Sequence, residues 1–92
     1  MRVMVADDAV LFRTGLVRLL GDAGFEVPVA VGTATELIAA VAADPPDAVV
    51  VDIRMPPTHT TEGLDAARDL QRTQPGVGVL VLSAHVETHY AM

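Results

Sequence analysis

The sequence predicts an α/β fold with a doubly wound parallel sheet. Short, continuous apolar runs recur along the chain, segments with helical apolar spacing separate them, and acidic or hydroxyl residues directly follow several of the runs. Continuous apolar strands are typical of parallel sheets that helices cover on both faces. Right-handed crossovers then bring the carboxyl ends of the strands to one edge, where such sheets hold their working sites.

The first predicted strand covers residues 3–6 and ends at the acidic pair Asp7-Asp8. A first helix is predicted over about residues 9–23, because apolar residues recur every three or four positions along one face. That predicted face consists of Phe12, Leu16, Leu19, Leu20 and Ala23. Gly24 is placed to end the helix, since glycine readily adopts the left-handed conformation that follows many helices.

The second predicted strand covers residues 26–31 and contains Pro28. Proline cannot donate a hydrogen bond to a neighbouring strand, so this strand is predicted at an edge of the sheet. A second helix is predicted over residues 34–43. Thr33 and Glu36 have the spacing of a capping box at its start.

The third predicted strand, residues 48–51, delivers Asp52 at its carboxyl end. A loop rich in proline and hydroxyl residues follows, and a third helix is predicted over residues 62–74. The fourth strand is predicted over residues 77–82 and ends at Ser83. The whole chain, residues 1–92, is therefore expected to form one domain.

The composition argues against several classes of function. A net charge of −6 repels nucleic-acid phosphates and anionic lipid, and only three aromatic residues, two Phe and one Tyr, are available for stacking. Cysteine is absent, which excludes disulfides and thiolate metal sites within this sequence. No apolar run approaches the ~20 residues that a membrane span requires. We therefore expect a cytoplasmic protein whose partners are proteins and cations, without membrane contact.

Four polar side chains are predicted to converge at the carboxyl edge of the sheet: Asp7, Asp8, Asp52 and Ser83. Carboxylates grouped there repel one another, and a cation would relieve the repulsion. Ligands that are all oxygen favour Mg²⁺. A strand-end carboxylate can attack phosphorus and form an acyl phosphate while a metal neutralises the developing charge. Asp52 is the better nucleophile candidate, because the adjacent pair Asp7-Asp8 suits metal binding.

Four segments, in order along the chain, carry a resemblance to a known family. They are Val5-Ala6-Asp7-Asp8, Val51-Asp52-Ile53-Arg54-Met55-Pro56, Gly63-Leu64 and Leu82-Ser83-Ala84. Together they resemble the receiver domains of two-component response regulators, and the chain is most similar to the NarL/LuxR-type branch. The resemblance implies a flavodoxin-like (CheY-like) sheet in the order 2-1-3-4, with the family's fifth strand and final helix absent from this sequence.

The resemblance also implies roles for individual residues. Asp52 would be the phosphoacceptor, supplied by a sensor histidine kinase, and Ser83 would be the switch hydroxyl. Asp7, Asp8, Asp52 and the backbone carbonyl of Arg54 would hold Mg²⁺. DNA would be contacted only through a downstream helix-turn-helix domain, and the chain itself would act as a phosphoacceptor and not as an enzyme.

The sequence departs from the family pattern in two places. Residues 57–62 lengthen the loop between Met55-Pro56 and Gly63, and the chain contains no Lys. The family's lysine and its aromatic switch residue lie on the fifth strand. Residues 86–92 are predicted to open a fourth helix, and the missing fifth strand would leave the fourth strand's edge open. The chain is therefore expected either to self-associate, through that strand or a swapped fourth helix, or to be the ordered part of a longer chain.

Blander interpretations remain open for the same residues. Asp7-Asp8 also suits an N-terminal helix cap, Asp52 a turn, and Ser83 a cap for a following helix. His85 and His89 have the spacing of two metal ligands on a helix, but no third ligand is evident and solvated surface is favoured. His59 is expected to be a loop residue.

Two other classes of function fit the sequence less well than a receiver domain. One is a pseudo-receiver that serves only as a protein-interaction module and is never phosphorylated. It is disfavoured because such a module has no physical reason to keep three acids that repel one another. A phosphatase of the haloacid-dehalogenase kind needs an aspartate two positions after its nucleophile, where this chain has Arg54.

Overall fold

Strands and helices alternate along the chain in the computed structural model, which describes residues 1–82. The elements are β1 (Arg2–Ala6), α1 (Val10–Asp22), β2 (Glu26–Val31), α2 (Ala34–Ala43), β3 (Ala48–Asp52), α3 (Glu62–Thr73) and β4 (Gly78–Leu82). The predicted helix over residues 86–92 lies outside the described residues. None of the helices within residues 1–82 combines the length and apolarity that crossing a bilayer requires.

The four strands form one parallel sheet in the order β2-β1-β3-β4, which confirms the predicted strand order. Strands β1 and β3 are central and carry almost continuous buried residues, because helices pack on both faces of the sheet. Ala6 pairs with Val51 at their carboxyl ends. The residues that follow these two strands are therefore neighbours across the sheet.

Pro28 lies in the edge strand β2, as its missing N–H predicts. Arg2 pairs with Glu26 but Met4 pairs with Val29, so β2 holds one extra residue between these two pairs. Strand β2 therefore carries a bulge in the segment that contains the proline.

The core consists of two layers on opposite faces of the sheet. One layer lies under α2 and α3 and is the larger; it contains Met4, Ala6, Leu37, Val41, Val49, Val51, Met55, Ala67, Leu70 and Val77. The other layer contains Val3, Val5 and Val50, and side chains of α1 pack against it. Successive residues of β1 point to opposite faces, so one short strand supplies both layers.

The inward face of α1 differs from the predicted one. Leu16 and Leu20 pack against the sheet together with Val17, but Phe12 and Leu19 are 48% and 66% exposed. The predicted face was wrong for these two residues and for Ala23, which is also exposed. The Arg13 guanidinium donates to the backbone oxygen of Asp7 at 2.8 Å. The inward stripe therefore runs through Arg13, Leu16, Val17 and Leu20, on a side of the helix that apolar spacing alone did not single out.

Local signals at the helix ends behave as predicted. Gly24 has a φ of 97° and follows α1, and the next residue, Phe25, donates its N–H to Leu20 O at 3.0 Å. This six-to-one bond closes the helix in a Schellman motif, which a side chain at position 24 would strain. At the start of α2, Thr33 Oγ1 accepts from the Glu36 N–H at 3.2 Å, which is one half of the predicted capping box. The Glu36 carboxylate accepts from the Thr33 hydroxyl at 2.9 Å, where the predicted box would have it accept from the Thr33 backbone N–H.

Candidate functional site

Three carboxylates meet at the carboxyl edge of the two central strands. One oxygen each of Asp7, Asp8 and Asp52 can be chosen so that all three atoms lie within 4.8 Å of one another. Since Ala6 and Val51 are paired, the residues after them are brought together by the sheet itself. We call these three residues the acidic group.

Asp7 is the buried member of the acidic group, with 5% of its surface exposed. Its Oδ1 accepts from the Ala9 N–H at 2.9 Å, immediately before α1, and its own N–H donates to Val31 O at 3.0 Å. A carboxylate is favoured at this position, since the amino end of a helix carries partial positive charge. The interpretation of Asp7-Asp8 as an N-cap and first-turn acid is wrong, because the N-cap of α1 is Ala9 and neither acid lies in the first turn. The bond from the Ala9 N–H occupies only one Asp7 oxygen, so the other can serve a cation.

Asp8 is half-buried and contacts a residue 51 positions away in the sequence. Its Oδ2 lies 2.8 Å from Nε2 of His59, which belongs to the loop between β3 and α3. His59 is a loop residue, as expected, but sequence reasoning missed this contact. The available signal was the added length of the loop, which lets its tip reach Asp8.

Asp52 ends β3 and is half-buried. Its Oδ1 accepts from the Arg54 N–H at 3.4 Å, a long bond. The Arg54 side chain is exposed, in agreement with a side chain directed to solvent or a partner. The predicted switch residue Ser83 lies outside the described residues. The same holds for His85 and His89, the pair with metal-ligand spacing.

Gly63 allows α3 to start directly against the end of β3. A Cβ at this position would lie 1.6 Å from the backbone oxygen of Asp52. The Gly63 N–H donates to Ile53 O at 2.8 Å, and Met55, fully buried, fixes the other side of the loop in the core. Only glycine permits this approach of the helix to the acidic group.

Glu62 holds the loop from its helical end. One carboxylate oxygen accepts from the Thr58 N–H at 2.8 Å and also from the Thr58 hydroxyl, and the other accepts from the Thr60 N–H at 3.0 Å. These bonds, that from the Thr58 hydroxyl foremost, lower the pKa of Glu62 to about 2. We call this arrangement the Glu62 clamp.

The donor set of the acidic group fits a hard divalent cation. All three ligands are carboxylate oxygens, which suit Mg²⁺ or Mn²⁺ better than zinc. The three oxygens lie near enough to one another for a single cation and its waters to be shared among them.

Comparisons with known proteins agree with this geometry. Residues 3–92 match the family model described as "Response regulator receiver domain". The chain is 36% identical over 90 residues to the transcriptional regulatory protein DegU of Brevibacillus brevis, covering 97% of this chain and 37% of DegU. It thus spans little more than a third of the length of that relative.

Solved structures show the same fold. The signal receiver domain of the putative response regulator NarL from Mycobacterium tuberculosis superposes with a TM-score of 0.80 at 33% identity, covering 91% of this chain and 66% of that one. The response regulator TrrA from Thermotoga maritima, solved in complex with Mg²⁺ and BeF, gives a TM-score of 0.83 at 24% identity, covering 99% and 76%. The second likeness concerns the fold alone.

Proposed function

Because this chain belongs to the response-regulator receiver domain family, we propose that it accepts a phosphoryl group on Asp52 and relays the signal to an output domain. The observation that carries this proposal is the acidic group, in which Asp52 lies beside two further carboxylates at the carboxyl edge of the sheet. A lone strand-end aspartate would offer no site for the cation that phosphoryl transfer requires.

Asp52 is the nucleophile in this proposal. Its carboxylate oxygen attacks the phosphorus of a phosphohistidine on a sensor histidine kinase, an O–P bond forms, the P–N bond breaks, and the imidazole leaves with its electron pair and takes up a proton. Asp7 is less suited to attack because it is buried and one of its oxygens is bound by the Ala9 N–H. Asp8 is held from the loop by His59.

Receiver domains generally bind Mg²⁺ at an acidic pocket, and the donor chemistry of this chain fits that ion. Asp7, Asp8, Asp52 and the backbone carbonyl of Arg54 would hold it. When bound, Mg²⁺ neutralises charge on the phosphoryl oxygens. TrrA, a protein of the same fold, was solved with Mg²⁺ and BeF, which supports Mg²⁺ as the choice of ion.

The remaining parts of the proposal concern the signal's output. Ser83 would donate its hydroxyl hydrogen bond to a phosphoryl oxygen and so act as the switch residue. DNA would be contacted by a helix-turn-helix domain beyond this chain, in a cytoplasmic transcription regulator, and the protein would also self-associate. The name of DegU as a transcriptional regulatory protein supports the choice of output.

Incubation of the purified protein with acetyl phosphate and Mg²⁺, followed by intact mass spectrometry, tests the proposal. We expect one phosphoryl group on the wild type, none on Asp52→Ala, and one on the control Asp69→Asn, whose half-buried carboxylate pairs with Arg72 on α3. A pseudo-receiver would gain no phosphoryl group, and a phosphatase would release phosphate continuously. Either outcome, or retention of the mass gain in Asp52→Ala, would contradict the assignment.

A further inference from the structure

We infer that His59 is a positioning residue that orients the Asp8 carboxylate for the divalent cation, an inference that rests on the proposed metal site. The 2.8 Å contact joins Nε2 of His59 to Oδ2 of Asp8. An ionised carboxylate only accepts hydrogen bonds, so Nε2 must carry the proton and donate it. The donor fixes one Asp8 oxygen and thereby sets the direction of the other.

His59 approaches Asp8 from outside the acidic group. Among the described residues, the atoms that lie within 4.8 Å of one another come from Asp7, Asp8 and Asp52, and the imidazole is not among them. A side chain that binds the ion directly would share that spacing. The imidazole therefore contacts a metal ligand and not the ion itself. Hydrogen bonds to metal ligands typically change metal affinity by about 10- to 100-fold.

The loop is built to hold His59 in this place. The residues on either side, Thr58 and Thr60, both have their backbone N–H groups bound by the Glu62 clamp. The His59 N–H itself donates at 2.9 Å to the backbone oxygen of Met55, a residue with no exposed surface. Histidine also tolerates the left-handed φ of 56° that turns its side chain back. The tip is therefore tied to the core and to α3 before the imidazole meets Asp8.

Metal titration separates this role from a merely structural one. Mn²⁺, a hard cation that suits the same oxygens, is titrated into the purified protein and free Mn²⁺ is followed by electron paramagnetic resonance, with Mg²⁺ added in competition. The variants are His59→Ala, His59→Gln, which keeps an N–H donor, and Thr60→Ala, whose hydroxyl is hydrogen-bonded to the Thr58 hydroxyl and not to Asp8. Far-UV circular dichroism without metal checks that each variant is folded.

We expect His59→Ala to raise the Kd for the metal by about 10- to 100-fold, with His59→Gln and Thr60→Ala close to wild type. In an Asp8→Asn background, His59→Ala should add little further loss, because the two residues act through one contact. Equal or tighter metal binding by His59→Ala would overturn the inference and leave the proposed function standing. A wild type that binds neither ion would overturn the metal site and the inference together.

Discussion

Replacing Gly63 with alanine tests how closely α3 must approach the end of β3. The added Cβ would lie 1.6 Å from the backbone oxygen of Asp52, and Cβ contacts under 3.0 Å essentially do not occur in proteins. The two segments must therefore separate by at least about 1.4 Å, the difference between these distances. The obstructing atom is backbone, so no side chain can swing aside to relieve the overlap.

Overpacking of this kind costs about 1 to 3 kcal/mol, and occasionally more. We expect Gly63→Ala to reach the upper end, about 3 kcal/mol, because the shift also breaks the 2.8 Å bond from the Gly63 N–H to Ile53 O. That is a large part of the ~5 to 15 kcal/mol by which a typical domain is stable. Moving the Asp52 backbone should weaken metal binding as well.

Urea unfolding followed by far-UV circular dichroism measures the free energy of unfolding, since the chain has no Trp to report by fluorescence. The matched control is Gly15→Ala in α1, where nothing lies within 4 Å of the added Cβ. Alanine in a helix interior should stabilise the protein by roughly 0.5 to 1 kcal/mol. If Gly63→Ala unfolds within about 0.5 kcal/mol of wild type, the close approach of α3 is not a constraint on folding.

Two further predictions follow from the described contacts. The lowered pKa of Glu62 means that the clamp's contribution to stability is complete above the ordinary value of 4.5 and is lost as the pH falls through about 2. Carbon-detected NMR should show the Glu62 carboxyl titrating near 2, and a midpoint near 4.5 would mean that the clamp does not form in solution. Leu70→Ala should cost about 2 to 5 kcal/mol, because Leu70 is 1% exposed. Leu19→Ala should change the stability by less than about 0.5 kcal/mol at 66% exposure. Equal costs for the two leucines would show that the orientation of α1 is wrong.

Much of the fold could be predicted because its signals are local in the sequence. Apolar runs marked the strands, and Pro28 marked the edge strand, because a missing N–H limits where a residue can pair. Thr33 marked the start of α2 through a bond to a residue three positions away. The meeting of Asp7, Asp8 and Asp52 followed from their places after strands that the topology makes adjacent.

What the sequence did not predict depends on contacts between distant residues. The orientation of α1 depends on Arg13 reaching the Asp7 carbonyl, and a polar residue on an inward face does not register in apolar periodicity. The contact between His59 and Asp8 depends on a loop conformation, for which no repeating pattern exists. Gly63 was noted as part of a motif, but its reason, the backbone oxygen of Asp52, is visible only in three dimensions.

The bulge at Pro28 also bears on how the sheet resists unwanted growth. An outer strand offers its unpaired backbone groups as a template to any extended segment of another molecule. In β2 the proline divides this template into Glu26-Val27 on one side and Val29 to Val31 on the other, with a shift in register between them. Proline in an outer strand and a bulge beside it are both features that weaken such pairing. Pro28 thus disfavours amyloid-like stacking of other molecules on the outer edge of β2.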